Sequence, residues 1–88
     1  MKRVHVLVPT PLYSYTGGRG RVEAAGATVA QVIEDLDRKY PGLKFRVVDE
    51  QGGLRTHIRI FLNEETAGLS AAVKEGDEVA LVAALSGG

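Results

Sequence analysis

Thr28-Val29-Ala30-Gln31-Val32-Ile33-Glu34-Asp35-Leu36-Asp37-Arg38-Lys39-Tyr40 reads as one amphipathic helix, and it dictates what the flanking segments must do. Thr28 and Gln31 have capping-box spacing, in which a hydroxyl at the N-cap accepts one of the helix's unpaired backbone N–H groups. Val29, Val32, Ile33, Leu36 and Tyr40 fall along one face, while Glu34, Asp35, Asp37, Arg38 and Lys39 take the rest. Acidic residues precede basic ones, an order that suits the helix dipole. Pro41-Gly42 ends the run. An apolar stripe of this kind is stable only against a second layer, so the remaining segments must supply a sheet.

Upstream, residues 3–8 alternate: Val4, Val6 and Val8 point one way, Arg3, His5 and Leu7 the other, the period of a half-buried strand. Pro9 and Pro11 end it, because proline cannot donate to a ladder. A loop follows to Gly17-Gly18-Arg19-Gly20, and Arg21 to Ala24 alternates again as a strand antiparallel to the first. Downstream, Leu43 to Arg55 reads as an irregular or hairpin-like insertion. His57 to Leu62 is a strand with Ile58, Ile60 and Leu62 inward and His57, Arg59 and Phe61 outward. Asn63-Glu64-Glu65 turns the chain, Leu69 and Val73 suit a short strand or helical turn, and Lys74-Glu75-Gly76-Asp77 turns it again. Glu78 to Leu85 is the last strand. The expected architecture is α+β, a mixed four- to five-stranded sheet packed on one main helix. It forms a single domain over 1–88 with a flexible tail at 84–88.

Composition narrows the function. The 88 residues carry 11 Lys plus Arg and 11 Asp plus Glu, so the basic excess usual in a nucleic-acid binder is absent. With no cysteine, disulfides, thiolate nucleophiles and cysteine metal sites are excluded. Lys2, Arg3 and His5 interrupt any signal-peptide core, and the longest apolar run, Val79 to Leu85, falls short of the ~20 residues a membrane helix needs. A cytoplasmic protein with no nucleic-acid or membrane partner is expected.

Side-chain chemistry is sparse. His5 and His57 are single histidines on strands without the spacing of a metal or catalytic pair. Ser14, Ser70 and Ser86 lack a nucleophile-elbow context. Gly17-Gly18-Arg19-Gly20 lacks the P-loop ending and precedes a strand, so it reads as a turn. Asp49-Glu50 and Glu64-Glu65 read as solvated turn residues. No catalytic residue and no metal ligand is assigned.

The last two residues, Gly87-Gly88, are different. Small residues at a frayed end are common and need mean nothing. Yet the pair follows a strand the core would anchor, and the five residues from Ala84 would reach roughly 17 Å when extended. Two positions without Cβ let the walls of another protein close around the backbone. A carboxylate is a poor electrophile, whereas transfer of AMP from ATP makes a mixed anhydride with a good leaving group. A sulfur nucleophile then gives a thiocarboxylate. ATP, Mg²⁺ and the sulfur source would all be held by a partner, and the chain itself would bind no cofactor.

Val4-His5-Val6-Leu7-Val8-Pro9, Gly26-Ala27-Thr28-Val29 with Val32-Ile33 and Leu36, Ile60-Phe61-Leu62-Asn63, and Gly76-Asp77-Glu78-Val79 leading to Gly87-Gly88 together resemble the MoaD/ThiS family of ubiquitin-like β-grasp sulfur carriers. That family includes the molybdopterin synthase small subunit, the thiamine sulfur carrier and relatives serving cysteine synthesis, and the resemblance spans essentially the whole chain. It implies adenylation of Gly88 by an E1-like enzyme, conversion to a thiocarboxylate, and donation to a sulfur-accepting biosynthetic enzyme. The chain would be the substrate of an activating enzyme and not an enzyme itself. Segment 43–55, with Pro9-Thr10 and Tyr15-Thr16-Gly17-Gly18, leans toward the cysteine-synthesis or molybdopterin-type branch. Two other readings stand beside it: a modifier joined to lysines through Gly88, and a binding module with an inert tail. If Val4, Ile58, Ile60, Val79 and Leu81 face the helix, then Leu7, Phe61, Ala80 and Val82 share the opposite face and suit partner docking, unless 43–55 covers them.

Overall fold

The structure, a computed structural model, describes residues 2–83. Strand β1 (Arg3–Leu7) leads to a 3-10 helix (Thr10–Tyr15), and β2 (Arg21–Ala25) precedes helix α1 (Val29–Lys39). A short α2 (Leu43–Val47) follows, then β3 (Ile58–Leu62), β4 (Glu65–Ala67) and β5 (Glu78–Ala83). The five strands form one mixed sheet in the order β2-β1-β5-β3-β4. β1 runs antiparallel to β2 and parallel to β5, while β3 is antiparallel to both β4 and β5.

Alternation places Val4, Val6, Val22, Ala24, Ile58, Ile60, Val79 and Leu81 under α1, all buried. Val29, Val32, Ile33 and Leu36 meet them from the helix. A fully buried Val, Leu or Ile contributes about 1.5–3 kcal/mol relative to an exposed one. The cap forms as its spacing requires: the Gln31 N–H donates to Thr28 Oγ1 at 3.2 Å. The Gln31 amide oxygen accepts from Ala27 N at 2.8 Å, one residue before the N-cap whose N–H a capping box would use. The first turn of α1 holds no acidic residue, so only Arg38 and Lys39, in the last turn, complement the dipole.

Four segments depart from the sequence reading. Beyond Pro9 the chain is not a plain loop, because proline fits the first turn of a helix as well as it ends a strand; the 3-10 turn buries Leu12. Segment 43–55 is helical in its first half, where Leu43 and Val47, one turn apart, are fully buried. Its second half is hairpin-like, with one antiparallel bridge between Val48 and Leu54. Asp35, expected on the polar face, is buried and accepts the Ala25 N–H at 2.9 Å. Its carboxylate also pairs with Arg38 and, at 3.4 Å, with Lys39, whose Nζ donates to the Glu23 carbonyl at 3.1 Å. Asp35 and Lys39 thereby occupy backbone groups along the β2 edge. The turn after β3 is only two residues long: Asn63 and Glu64 have φ of 50° and 74°, the left-handed pair of a type I′ hairpin, and Glu65 already opens β4.

α2 packs against α1 and the 3-10 helix on the helical side of the sheet, and among the described residues no helix lies on the other face. Among the described residues no helix is long and apolar enough to cross a membrane.

Candidate functional site

β5 is the middle strand of five, hydrogen-bonded to β1 on one side and β3 on the other. Its last described residue, Ala83, pairs with Ile58. The strand was expected to continue to Leu85; that part, the tail 84–88 and the pair Gly87-Gly88 lie outside the described residues. The ladder to β1 runs as far as Ala80 and the ladder to β3 as far as Ala83.

The face away from α1 gathers the four residues proposed for docking. Ala80 stands opposite Leu7 on β1 and opposite Phe61 on β3, so the three form one row across adjacent strands. Side chains so placed have Cβ atoms roughly 4.5–5.5 Å apart, close enough for one continuous apolar strip. Val82, opposite Arg59, extends the strip two residues toward the chain end and is 39% exposed. Arg21 flanks Leu7 and Thr66 flanks Phe61 at the ends of the row. His5 lies one pleat below, with Glu23 and Glu78 opposite it on the neighbouring strands. The surface is therefore apolar at its centre and mixed in charge at its rim, the anatomy of a protein interface.

The hairpin below is held by Asn63 and Asp77. Asn63 Nδ2 donates to Asp77 Oδ1 at 2.9 Å, and the Glu78 N–H donates to Asn63 Oδ1 at 3.0 Å. The Lys74 N–H reaches the other Asp77 oxygen at 2.7 Å. These donors, Asn63 first, hold the Asp77 carboxyl below the ordinary carboxylate range. The clasp ties the end of β3 to the start of β5.

The other candidates stay apart. His5 Nδ1 is 3.9 Å from Glu23 Oε2, and His57 is exposed at the opposite end of the strands. Among the described residues no group of three or more His, Asp or Glu side chains is placed to hold a metal. Gly17 and Gly18 have φ of 68° and 87° and form the turn out of the 3-10 helix. Asp49 serves its own loop, accepting from Gly53 N at 3.0 Å and Gln51 N at 2.9 Å; the Gly53 bond is the main reason its carboxyl is lowered.

Residues 6–88 match the ThiS family. This chain belongs to that family. The sulfur carrier protein CysO of Mycobacterium tuberculosis is 37% identical over 91 residues, covering 97% of this chain and 98% of that protein. Small archaeal modifier protein 1 of Haloferax volcanii is 41% identical over 69 residues, covering 77% and 79%. The crystal structure of the Amycolatopsis orientalis BexX/CysO complex contains a chain that superposes with a TM-score of 0.89 at 40% identity, covering 97% of this chain and 99% of that one. The ubiquitin-like β-grasp fold inferred from the sequence is thus the fold of this ThiS-family member.

Proposed function

We propose that this chain is a sulfur carrier whose reactive group is the carboxylate of Gly88. Full-length similarity to a sulfur carrier protein carries the reading, in a chain whose described part ends on the central strand five residues before Gly88. An E1-like enzyme joins the carboxylate to AMP from ATP, releasing pyrophosphate. Sulfide then attacks the acyl carbon, the bond to AMP breaks, and a thiocarboxylate remains for transfer to an acceptor enzyme. ATP and Mg²⁺ belong to the activating partner, and the chain acts as a substrate. The likeness to CysO favours the cysteine-synthesis side of the two branches that the sequence left open. The need for ATP and reduced sulfur fits a cytoplasmic setting.

Gly87 and Gly88 serve as the part that enters the partner's active centre, and Leu7, Phe61, Ala80 and Val82 as the surface that docks. Incubation with the activating enzyme of its own genome, ATP and sulfide should raise the intact mass by one oxygen-to-sulfur exchange. Deleting Gly88 should abolish that shift and move the melting temperature by less than about 2 °C, because removal of a single terminal glycine is ordinarily tolerated. An unshifted mass with the competent enzyme refutes the proposal.

A second reading has its own support, the 41% identity to a protein named as a modifier. The same acyl adenylate attacked by a lysine amine would give an isopeptide. Lysine-linked conjugates on a denaturing gel distinguish it.

A further inference from the structure

The two large apolar side chains most exposed among the described residues are Val82, at 39%, and Phe45, at 55%. Val82 belongs to the sheet face described above, whereas Phe45 lies on α2, on the other side of Ala83. Between Phe45 and Ala83 runs a groove of about 410 Å³, with Arg46, Arg55 and His57 on its walls and Glu50 as its only carboxylate among the described residues. The neighbouring Asp49 is engaged by the N–H groups of its own loop and also feels the Arg55 charge, though it forms no ion pair with it.

Arg55 is held in place before any ligand arrives. Its guanidinium stacks 4.5 Å from the Phe45 ring centroid, and its Nε donates to the Phe45 carbonyl at 2.5 Å. Its own N–H is fixed on the Val47 carbonyl at 3.0 Å. A guanidinium fixed through Nε keeps its terminal nitrogens in the fork that matches a carboxylate, with little rotamer freedom left to lose. None of the four ion pairs among the described residues involves Arg46 or Arg55. In a chain of zero formal charge, Arg46 and Arg55 line this groove beside an exposed aromatic ring and Ala83.

We propose that this groove is a second docking site, taking an acidic segment of a partner protein in which a leucine or similar apolar side chain lies on Phe45 and flanking carboxylates meet Arg46 and Arg55. The groove adjoins Ala83, so its occupant and the partner on the sheet face would flank the end of β5 from both sides. The proposal rests on the carrier reading only in supposing that a partner grips the tail; the groove's charge and shape stand without it.

The test is amide NMR mapping with an acetylated Glu-Glu-Leu-Asp-Glu-Leu peptide, and with its Lys-for-acid counterpart as control. The acidic peptide should move the Phe45, Arg46, Arg55, His57 and Ala83 amides saturably. The response should vanish near 1 M salt, where the Debye length is about 3 Å. The basic peptide should move none of them. Arg46→Glu and, separately, Phe45→Ala should each weaken binding roughly tenfold, as truncation of an interface anchor does. Both side chains are exposed, so melting temperatures should hold, and Arg46→Glu leaves the Phe45–Arg55 stack intact. No shift at millimolar acidic peptide, or an equal response to the basic one, overturns the proposal. Thiocarboxylate formation by the wild-type chain is scored separately, so failure of that chemistry and failure of the groove are told apart.

Discussion

Replacing Ala80 with glutamate should separate docking from folding. Ala80 sits between Leu7 and Phe61 in the row across β1, β5 and β3, on the face that no helix covers. In the free protein the new carboxylate can reach water, so the cost should be that of a half-exposed strand substitution, about 0.5 kcal/mol. For a domain of this size that lowers the melting temperature by roughly 2–4 °C. In the docked complex the same carboxylate is trapped between two apolar side chains and loses its hydration. A desolvated polar group without a partner costs about 1–3 kcal/mol and a charge more, so about 2 kcal/mol is a conservative figure. That is roughly 30-fold in affinity. Arg59 and Arg21 lie nearby, but an exposed ion pair returns only about 0–1 kcal/mol and does not cancel the loss. Steady-state adenylation, followed by pyrophosphate release, should therefore show a KM raised about 30-fold or more with kcat close to wild type, since the chemistry at Gly88 is untouched. A KM within about twofold of wild type would mean the tail alone is recognised. A melting temperature more than about 10 °C lower would mean the face is not open.

Two further predictions concern the body that holds this surface. Asp35→Ala strips the part-buried Ala25 N–H of its carboxylate partner, and urea unfolding should show a loss of about 1–3 kcal/mol, the order of a hydrogen bond to a charged group; a loss below about 0.5 kcal/mol would remove Asp35 from the edge-capping role. Asp77→Asn bears on acid stability: because the folded carboxyl is lowered by Asn63 and the Lys74 N–H, its charged form favours the fold, fully above the unfolded value near 4 and progressively less as pH falls through the folded value. The variant should thus be slightly less stable than wild type at neutral pH and lose stability less steeply below about pH 4, and parallel pH profiles would refute this role.

What could be read in advance was whatever a short periodicity encodes. Val4, Val6 and Val8, the Thr28 cap, the Val29 to Leu36 stripe and Ile58 with Ile60 each repeat often enough to fix element and face. The row Leu7–Ala80–Phe61 was half legible: alternation put each residue on the outer face, but only the parallel register of β1 on β5 aligns Leu7 with Ala80. Elements of a single turn carry no periodicity, which is why α2 and the 3-10 helix were hidden. Leu43 and Val47, four apart, were the one clue to α2, and with that helix unassigned Phe45 had no surface to belong to. Asp35 was misplaced because residue type does not tell whether a charge on the margin of a stripe meets solvent or the unpaired edge of a neighbouring strand. β4 was obscured by Glu64, which adopts a positive φ that glutamate seldom takes.

The position of β5 within the sheet suits the proposed use of Gly88 as the reactive group. An edge strand offers one ladder of hydrogen bonds and an open row of backbone groups, so a partner pulling on an extended tail could fray it or pair with it in the wrong register. Here β5 is an inner strand, laddered to β1 as far as Ala80 and to β3 as far as Ala83. At the β2 edge, Asp35 takes the Ala25 N–H and Lys39 the Glu23 carbonyl, so backbone groups that might attract a stray strand are already engaged. The apolar strip on the sheet and the Phe45–Arg55 groove can then bear the binding energy against a body that does not yield. Loss of either surface should raise KM, whereas loss of Gly88 should abolish turnover, because in the proposed carrier the two surfaces bind and the terminal carboxylate reacts.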